Sequence, residues 1–388
     1  MQGTRKEKVS ARVGGTLPPI MQIMKGLAAG KDVIDLSQGV PFFPPPGDAV
    51  KEALGDLRDI HRYGPDGGDM DLKELIAEKL SRCNSILADP ERGVMVTSGA
   101  NLGFFNAVAT LCDPGDEVIL LDPFYFNHRM TLDILDVSAV HVPTDDRYLP
   151  DPRRIEESIS ERTKAVVIVS PNNPTGMCYP ASIMRQVTEI CMDRDIFLIS
   201  DETYEGFEYE GDHFSPGSLG DDAQVISLFS LSKNFSISGW RVGYMVIPPF
   251  LYDEVMKVQD TTVICPSRAS QRVALHCMRD HPGHLREYIG KLDKSRRYLI
   301  RWLEGRRDLL RCPSPDGAYY ALPEMVGTGV VGDSFTLVRD ILDRTNVLLV
   351  PGTPFGADQT PHFRISYGNL EPSMFEEAIE TLDGYFLL

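Results

Sequence analysis

Five short polar segments carry the residue types that could do chemistry, and each follows an apolar run. Thr97-Ser98-Gly99-Ala100-Asn101 opens a helical pattern. Such a turn offers free backbone N–H groups and the positive end of a helix dipole, which together seat a phosphate. Asp122-Pro123-Phe124-Tyr125-Phe126 gathers rings that either pack into a core or present a face to a flat ligand. Ser170-Pro171-Asn172-Asn173-Pro174-Thr175-Gly176 places a carboxamide in a turn-forming run. Asp201-Glu202-Thr203-Tyr204 sets a carboxylate three residues from a phenol, although Asp201 alone also suits a helix N-cap. Ser230-Leu231-Ser232-Lys233 leads to Gly239-Trp240-Arg241. A lysine closing a buried apolar run is unusual, because lysine is rarely buried without a partner or a task.

The elements that must position these segments are strands. Short apolar runs at 94–97, 118–121, 165–169, 197–200, 225–228 and 243–247 predict strands, several of them apolar throughout rather than alternating. That pattern belongs to a mostly parallel sheet buried on both faces. Helical periodicity lies between most of them, as in Leu102, Phe105, Ala109 and Cys112. Ligands in open α/β sheets bind beyond the carboxyl ends of the strands, where all five polar segments fall. Beyond residue 280 the pattern changes. Leu285, Ile289, Leu292, Leu299 and Leu303 predict a long helical stretch, and runs at 318–322, 347–350 and 363–366 follow, with another helical segment among them. Val40-Pro41-Phe42-Phe43-Pro44-Pro45-Pro46 reads as a rigid extended connector. The expected architecture is α/β: a three-layer large domain at 47–283, a smaller discontinuous α+β domain at 284–388, and an N-terminal segment, 1–46, packed with the latter.

Composition narrows the partners. The 388 residues hold 39 Lys plus Arg against 56 Asp plus Glu, a net charge of −17. A body this acidic is repelled by phosphate backbones and anionic lipid, which argues against nucleic acid and membrane surfaces. An anionic small molecule can still be held by a few local cations. Cysteines at 83, 112, 178, 191, 265, 277 and 312 show neither CxxC nor metal-ligand spacing and read as buried free thiols of a reducing compartment. MQGTRKEKVSARVGG has no apolar core after its basic residues, and no apolar run approaches the ~18 residues of a membrane span. The expectation is a soluble, cytoplasmic enzyme that binds no metal.

One chemistry uses all five turns together. Pyridoxal 5'-phosphate needs a lysine for a Schiff base, a carboxylate at its ring nitrogen, donors to its ring oxygen, an aromatic face and a phosphate cup. With Ser170-Pro-Asn-Asn-Pro-Thr-Gly176, Asp201-x-x-Tyr204 and Ser230-x-Ser232-Lys233 ahead of Gly239-Trp240-Arg241, the sequence resembles the class I/II aminotransferases, the aspartate aminotransferase-like enzymes of pyridoxal phosphate fold type I. The likeness extends from the Ser-Gln-Gly segment at Gly39, through Tyr63-Gly-Pro, to Phe363-Arg364-Ile365-Ser366. It implies that Lys233 carries the cofactor and shuttles the proton, that Asp201 pairs with the ring nitrogen, and that Tyr204 and Asn173 bond the ring oxygen. It implies Tyr125 on the ring face, and a phosphate cup made of Gly99, Ala100, Asn101, Ser230, Ser232 and Arg241. Tyr63 would reach that phosphate from the neighbouring subunit of a homodimer. Arg364 would bind the substrate carboxylate as a bidentate fork, with Gly39 against it and Asn173 alongside. His128 and Arg129 read as a solvated helix start and stay outside this set.

The reaction implied is ping-pong transamination between an L-amino acid and a 2-oxo acid. A β-lyase, a cyclase, an oxidase or a specialised aminotransferase of secondary metabolism would share the same constellation. Asn101 stands where the aspartate- and prephenate-dedicated branch commonly has lysine. Phe42, Phe43, Phe124, Tyr125 and Phe126 suit an aromatic or large apolar substrate side chain.

Overall fold

The computed structural model describes residues 9–55, 58, 60–327, 332–357 and 359–387; most of the basic N-terminus, 1–8, lies outside that set. A short strand β1 (Ile34–Asp35) comes first and belongs to the smaller unit. The large sheet then uses β2 (Val94–Thr97), β3 (Glu117–Asp122), β4 (Ser138–Pro143), β5 (Thr163–Val169), β6 (Phe197–Asp201), β7 (Val225–Ser230) and β8 (Gly243–Val246). Their spatial order is β2-β8-β7-β6-β5-β3-β4. β8 runs antiparallel to both of its neighbours and every other pairing is parallel.

Burial explains why these strands are apolar throughout. Along β5, Val166 and Ile168 join Leu198 of β6 in one apolar cluster, while Val167 and Val169 join Ile199 in the cluster on the opposite face. All six expected runs are strands. The seventh, β4, is an edge strand with Ser138, His141 and Pro143 exposed, so it lacks the continuous apolar signature of a central strand. The helix Ala100–Leu111 forms where periodicity places one, yet its buried stripe is Gly103, Phe104, Ala107 and Val108. Leu102, Phe105, Ala109 and Cys112 flank that stripe, half-buried. A helix apolar on most sides leaves its phase undetermined by period alone. All seven cysteines are unpaired, but only Cys191 and Cys277 are buried and Cys83 is exposed.

In the C-terminal part, the helix Ile289–Glu304 buries Leu292, Leu299 and Leu303, whereas Leu285 falls in a preceding 3₁₀ turn. β9 (Leu310–Arg311) pairs with β11 (Glu324–Met325). β10 (Tyr320–Ala321), β14 (Phe363–Ser366) and β13 (Val350–Pro351) form a three-stranded antiparallel sheet. The expected run 347–350 divides at Leu349. Its first half, β12 (Val347–Leu348), pairs parallel with β1, and its second half enters the other sheet. Ile20, Met24, Leu36 and Phe43 share one apolar cluster with Leu292, Leu299, Ile379 and Leu382. The proline run is neither helix nor strand, and Phe43 stacks on Tyr288 at 4.5 Å between centroids.

A sheet covered on both faces makes a definite prediction. Leu198→Ala and Ile199→Ala, fully buried neighbours that point to opposite faces, should each lower unfolding free energy by about 2–5 kcal/mol in denaturant titrations. A small loss at one position and a large loss at the other would mean a one-sided sheet.

Candidate active site

The carboxyl ends of β2, β5, β6 and β7 surround a cavity of about 160 Å³. Lys233, Asp201, Tyr204, Asn173, Tyr125, Ala100, Asn101, Ser230, Ser232 and Arg241 all line it, joined by Val169 and Thr203. Their convergence follows from register. Asp201 ends β6 opposite Val169 of β5 and Leu228 of β7, so the three exits open side by side.

Each wall has a local cause. Gly99 stands ahead of the helix Ala100–Leu111 with φ +85°, and no side chain caps that helix. Its first-turn N–H groups therefore lack intrahelical acceptors. A Cβ at Gly99 would meet the Arg241 guanidinium, so this glycine lets arginine and helix end approach one another. Ser230 Oγ accepts from Ser232 N at 3.2 Å, and buried Ser232 Oγ has no partner. Arg241, in the left-handed region at φ +52°, turns one guanidinium nitrogen to Ser238 O at 2.9 Å.

Lys233 is partly buried on the short helix Leu231–Asn234 and donates to Gly39 O. Burial, reinforced by Arg241 and Arg364, lowers its pKa to about 8. Its amine therefore gives up its proton far more readily than an ordinary lysine's, as a nucleophile or proton carrier requires. Burial also pushes the Tyr125 phenol up to about 12, with Tyr320 and Asp201 adding to the effect.

Buried Asp201 caps no helix, because a turn follows it. One carboxylate oxygen accepts from Thr203 N at 3.1 Å, and the other lies 3.2 Å from His128 Nε2. His128 is 2% exposed, with Phe104 stacked on its ring at 4.0 Å and Tyr125 edge-on at 5.2 Å. It is thus no solvated helix start. The overlooked signal is its i,i+4 spacing with Leu132 on the buried stripe of the helix Phe126–Leu135. Arg129 does turn away, to Asp133 and His141.

Arg364 is 3% exposed, and among the described residues no carboxylate pairs with it. It donates to Asn173 Oδ1 at 2.8 Å and Ser37 O at 2.7 Å, both neutral, and its Nε has no partner. Gly39 lies beside it through Tyr320, whose hydroxyl a Cβ at residue 39 would strike. Tyr63 is 77% exposed and does not line the chain's own cavity. Of the rings expected near a substrate, only Tyr125 lines the cavity. Phe42 and Phe43 pack on Tyr288, Phe124 on His141, and Phe126 on Phe355. A larger cavity, about 600 Å³, lies behind the Lys233 helix, where Lys79 is engaged in an ion pair with Glu205.

The donor set fits pyridoxal phosphate. A glycine-cleared helix end with an unpartnered serine and an arginine suits a phosphate, and a buried carboxylate suits a protonated ring nitrogen. The described residues contain one further cluster of possible metal ligands, Glu52, His276 and Asp280. It lies apart from these walls.

A family-wide sequence profile, described as aminotransferase class I and II, matches residues 31–382. The chain belongs to that family. An aspartate/prephenate aminotransferase of Thermus aquaticus, named as probable, is 31% identical over 385 residues, covering 98% of both chains. An aromatic aminotransferase of Arabidopsis thaliana is 34% identical, over 94% of this chain and 92% of its own. Thermus thermophilus aspartate aminotransferase, solved with maleate, superposes with a TM-score of 0.88 at 30% identity, covering 96% and 98% of the two chains. This aminotransferase thus has the fold-type I architecture, and its family implies pyridoxal phosphate as cofactor. Among the described residues no helix is long and apolar enough to cross a membrane.

The segment after Asp201 is anchored by buried charge. Glu202, wholly buried, accepts from His213 Nε2 at 2.8 Å and from Ser215 Oγ at 2.5 Å, and His213 Nδ1 lies 2.7 Å from Glu208. Burial pulls the His213 pKa down, but the bonds to Glu202 and Glu208 outweigh it and raise it to about 10. The raised value makes this contribution to stability complete below about pH 6.5, and it disappears as pH rises through about 10. His213→Gln should therefore melt below wild type near pH 6, with the difference closing toward pH ~10 in thermal scans. A pH-independent difference would show that His213 is not held as the imidazolium.

Proposed function

We propose that this aminotransferase moves an amino group from an L-amino acid with an aromatic or large apolar side chain to a 2-oxo acid, by a ping-pong cycle in the pocket around Lys233. The observation that carries the reading is the presence, around one small cavity, of a lysine of lowered pKa, a buried carboxylate and an uncapped helix end. Bound there, pyridoxal phosphate supplies an electron sink for the carbanion formed at the substrate's Cα.

Lys233 would carry the proton from the substrate's Cα to the cofactor's C4′. Its neighbours Arg241 and Arg364 favour the neutral amine that this task needs. Asp201 holds the proton on the ring nitrogen, and His128 orients the carboxylate from behind. Tyr204 and Asn173 donate toward the ring oxygen, and Tyr125 covers one ring face. Gly99, Ala100, Asn101, Ser230, Ser232 and Arg241 hold the phosphate. Arg364, with Asn173 already on one of its nitrogens, orients the substrate carboxylate.

The described lining offers no cation beyond Lys233 and Arg241 for a second carboxylate. That favours apolar side chains, as does the aromatic aminotransferase among the relatives. Exposed Tyr63 supports a homodimer in which it reaches the other subunit's phosphate. We read the division as 47–283 and 284–388, with 1–46 packed on the smaller part; the pairing of β1 with β12 and the place of Ile20, Met24, Leu36 and Phe43 in the C-terminal cluster support it, whereas Ala11–Gly15 packs on the helix Phe126–Leu135 of the larger part. A cytoplasmic location is part of the same reading.

Adding aromatic and other amino acids singly to the cofactor-loaded protein tests the reaction. Transfer should convert the band near roughly 420 nm into one near roughly 330 nm, with recovery on adding a 2-oxo acid. Lys233→Ala should abolish the conversion, lowering turnover by about 10⁴-fold or more. Release of ammonia, or consumption of dioxygen, would replace transamination with elimination or oxidation.

A further inference from the structure

Tyr320 touches two groups that the proposed reaction uses for different purposes. Its hydroxyl is 2.7 Å from that of Tyr204, and the guanidinium of Arg364 lies over its ring, 4.5 Å from the centroid. Backbone register creates this double contact. In β10, Tyr320 pairs with Ser366 of β14, so Arg364, two residues back, is its diagonal neighbour on the same face. The arginine's other contacts close a ring, because Asn173 accepts from it and donates toward Tyr204 at 3.5 Å.

The distance allows either hydroxyl to donate, and the proposed task of Tyr204 selects between the two. Tyr319 donates to Gly39 O at 3.1 Å, so its proton is engaged there. Were Tyr204 to donate to Tyr320, no proton would be left on Tyr204 for the cavity. With Tyr320 as donor, the Tyr204 oxygen accepts and its own proton is free to turn inward. A phenol that accepts a hydrogen bond is also a stronger donor, since chained hydrogen bonds polarise one another. Among the described residues, the phenols of Tyr125, Tyr319 and Tyr320 face Tyr204, Lys233, Asp201 and Arg241 line the same cavity, and Arg364 faces Tyr320. Gly39 is part of the device, because any Cβ there would displace the Tyr320 hydroxyl.

We infer that Tyr320 is a positioning residue with two separable roles: its hydroxyl directs the Tyr204 proton toward the cofactor's ring oxygen, and its ring seats Arg364 for the substrate carboxylate. The inference rests on the reading of the cavity as the cofactor site. A donor on the ring oxygen stabilises that oxygen as an anion, which favours loss of the proton it shares with the adjacent lysine-linked nitrogen. Weakening the donor therefore raises the pH midpoint at which the cofactor's visible band titrates.

The test uses two variants of the cofactor-loaded protein and two readouts. These are the midpoint of that band's pH titration and the dissociation constant of 3-phenylpropionate, a carboxylate with an apolar body. Tyr320→Phe keeps the ring and loses the hydroxyl, so the midpoint should rise by about 0.5 pH unit with affinity within about twofold of wild type. Tyr320→Leu loses both, so the midpoint should rise similarly and affinity should fall about fivefold. An unmoved midpoint in Tyr320→Phe, or unchanged affinity in Tyr320→Leu, would overturn the proposal. Equal loss of affinity in both variants would also do so, because general loosening rather than two roles would explain it. A wild-type protein with no visible band would instead overturn the cofactor reading, and this proposal with it.

Discussion

Three cations, Lys233, Arg241 and Arg364, are brought close enough that the two guanidiniums help to depress the lysine's pKa. Like charges in a partly dehydrated space repel, and the fold accepts that repulsion to make the lysine amine easier to deprotonate. Nearly everything else in the site follows from it. The arginines must be held from behind by neutral groups, and they are: Arg241 by Ser238 O, Arg364 by Asn173 and Ser37 O. A carboxylate paired with either would cancel the field that acts on Lys233. Asp201, the carboxylate at the cavity, is directed toward His128 and Thr203 N instead. Such a pocket is complementary to a ligand and substrate that bring their own anions, one phosphate and one carboxylate.

Holding cations in these places requires a rigid frame. The central strands are covered on both faces, so their carboxyl ends have little freedom, and the cavity walls take their positions from strand register. The segment from Asp201 to Ser215 is tied down twice more. The Glu202–His213–Glu208 arrangement binds it within the large sheet's side, and Tyr209, donating to Ala318 O under the Arg296 guanidinium, binds it to the C-terminal part. Tyr204 thus lies on a stretch of chain fixed to both parts of the molecule.

Much of this frame was legible in the sequence. Unbroken apolar runs mark strands buried on both sides, and the polar residues that follow them marked the cavity, where Val169 and Thr203 alone were not anticipated. What escaped did so for physical reasons. β4 is half-exposed and carries no apolar run. The short strands of the C-terminal part follow from pairing partners far away in sequence, such as Ile34 with Val347. The spacing of His128 with Leu132 marks it as buried, but His128 and Tyr320 act through contacts with residues 73 and 116 positions distant, Asp201 and Tyr204, and no local spacing encodes these partners. Phe42 and Phe43 show the opposite error. Their composition suggested a substrate wall, and their geometry makes them part of the junction with Tyr288.

The central claim is that Lys233, and no other lysine, is the chemical centre toward which the strand ends converge. Reducing the cofactor-loaded protein with borohydride, digesting it and locating the pyridoxyl group by mass spectrometry tests this directly. The account predicts a single modified peptide, with the group on Lys233. Modification concentrated on another lysine, such as Lys79 in the larger cavity behind the Lys233 helix, would contradict it.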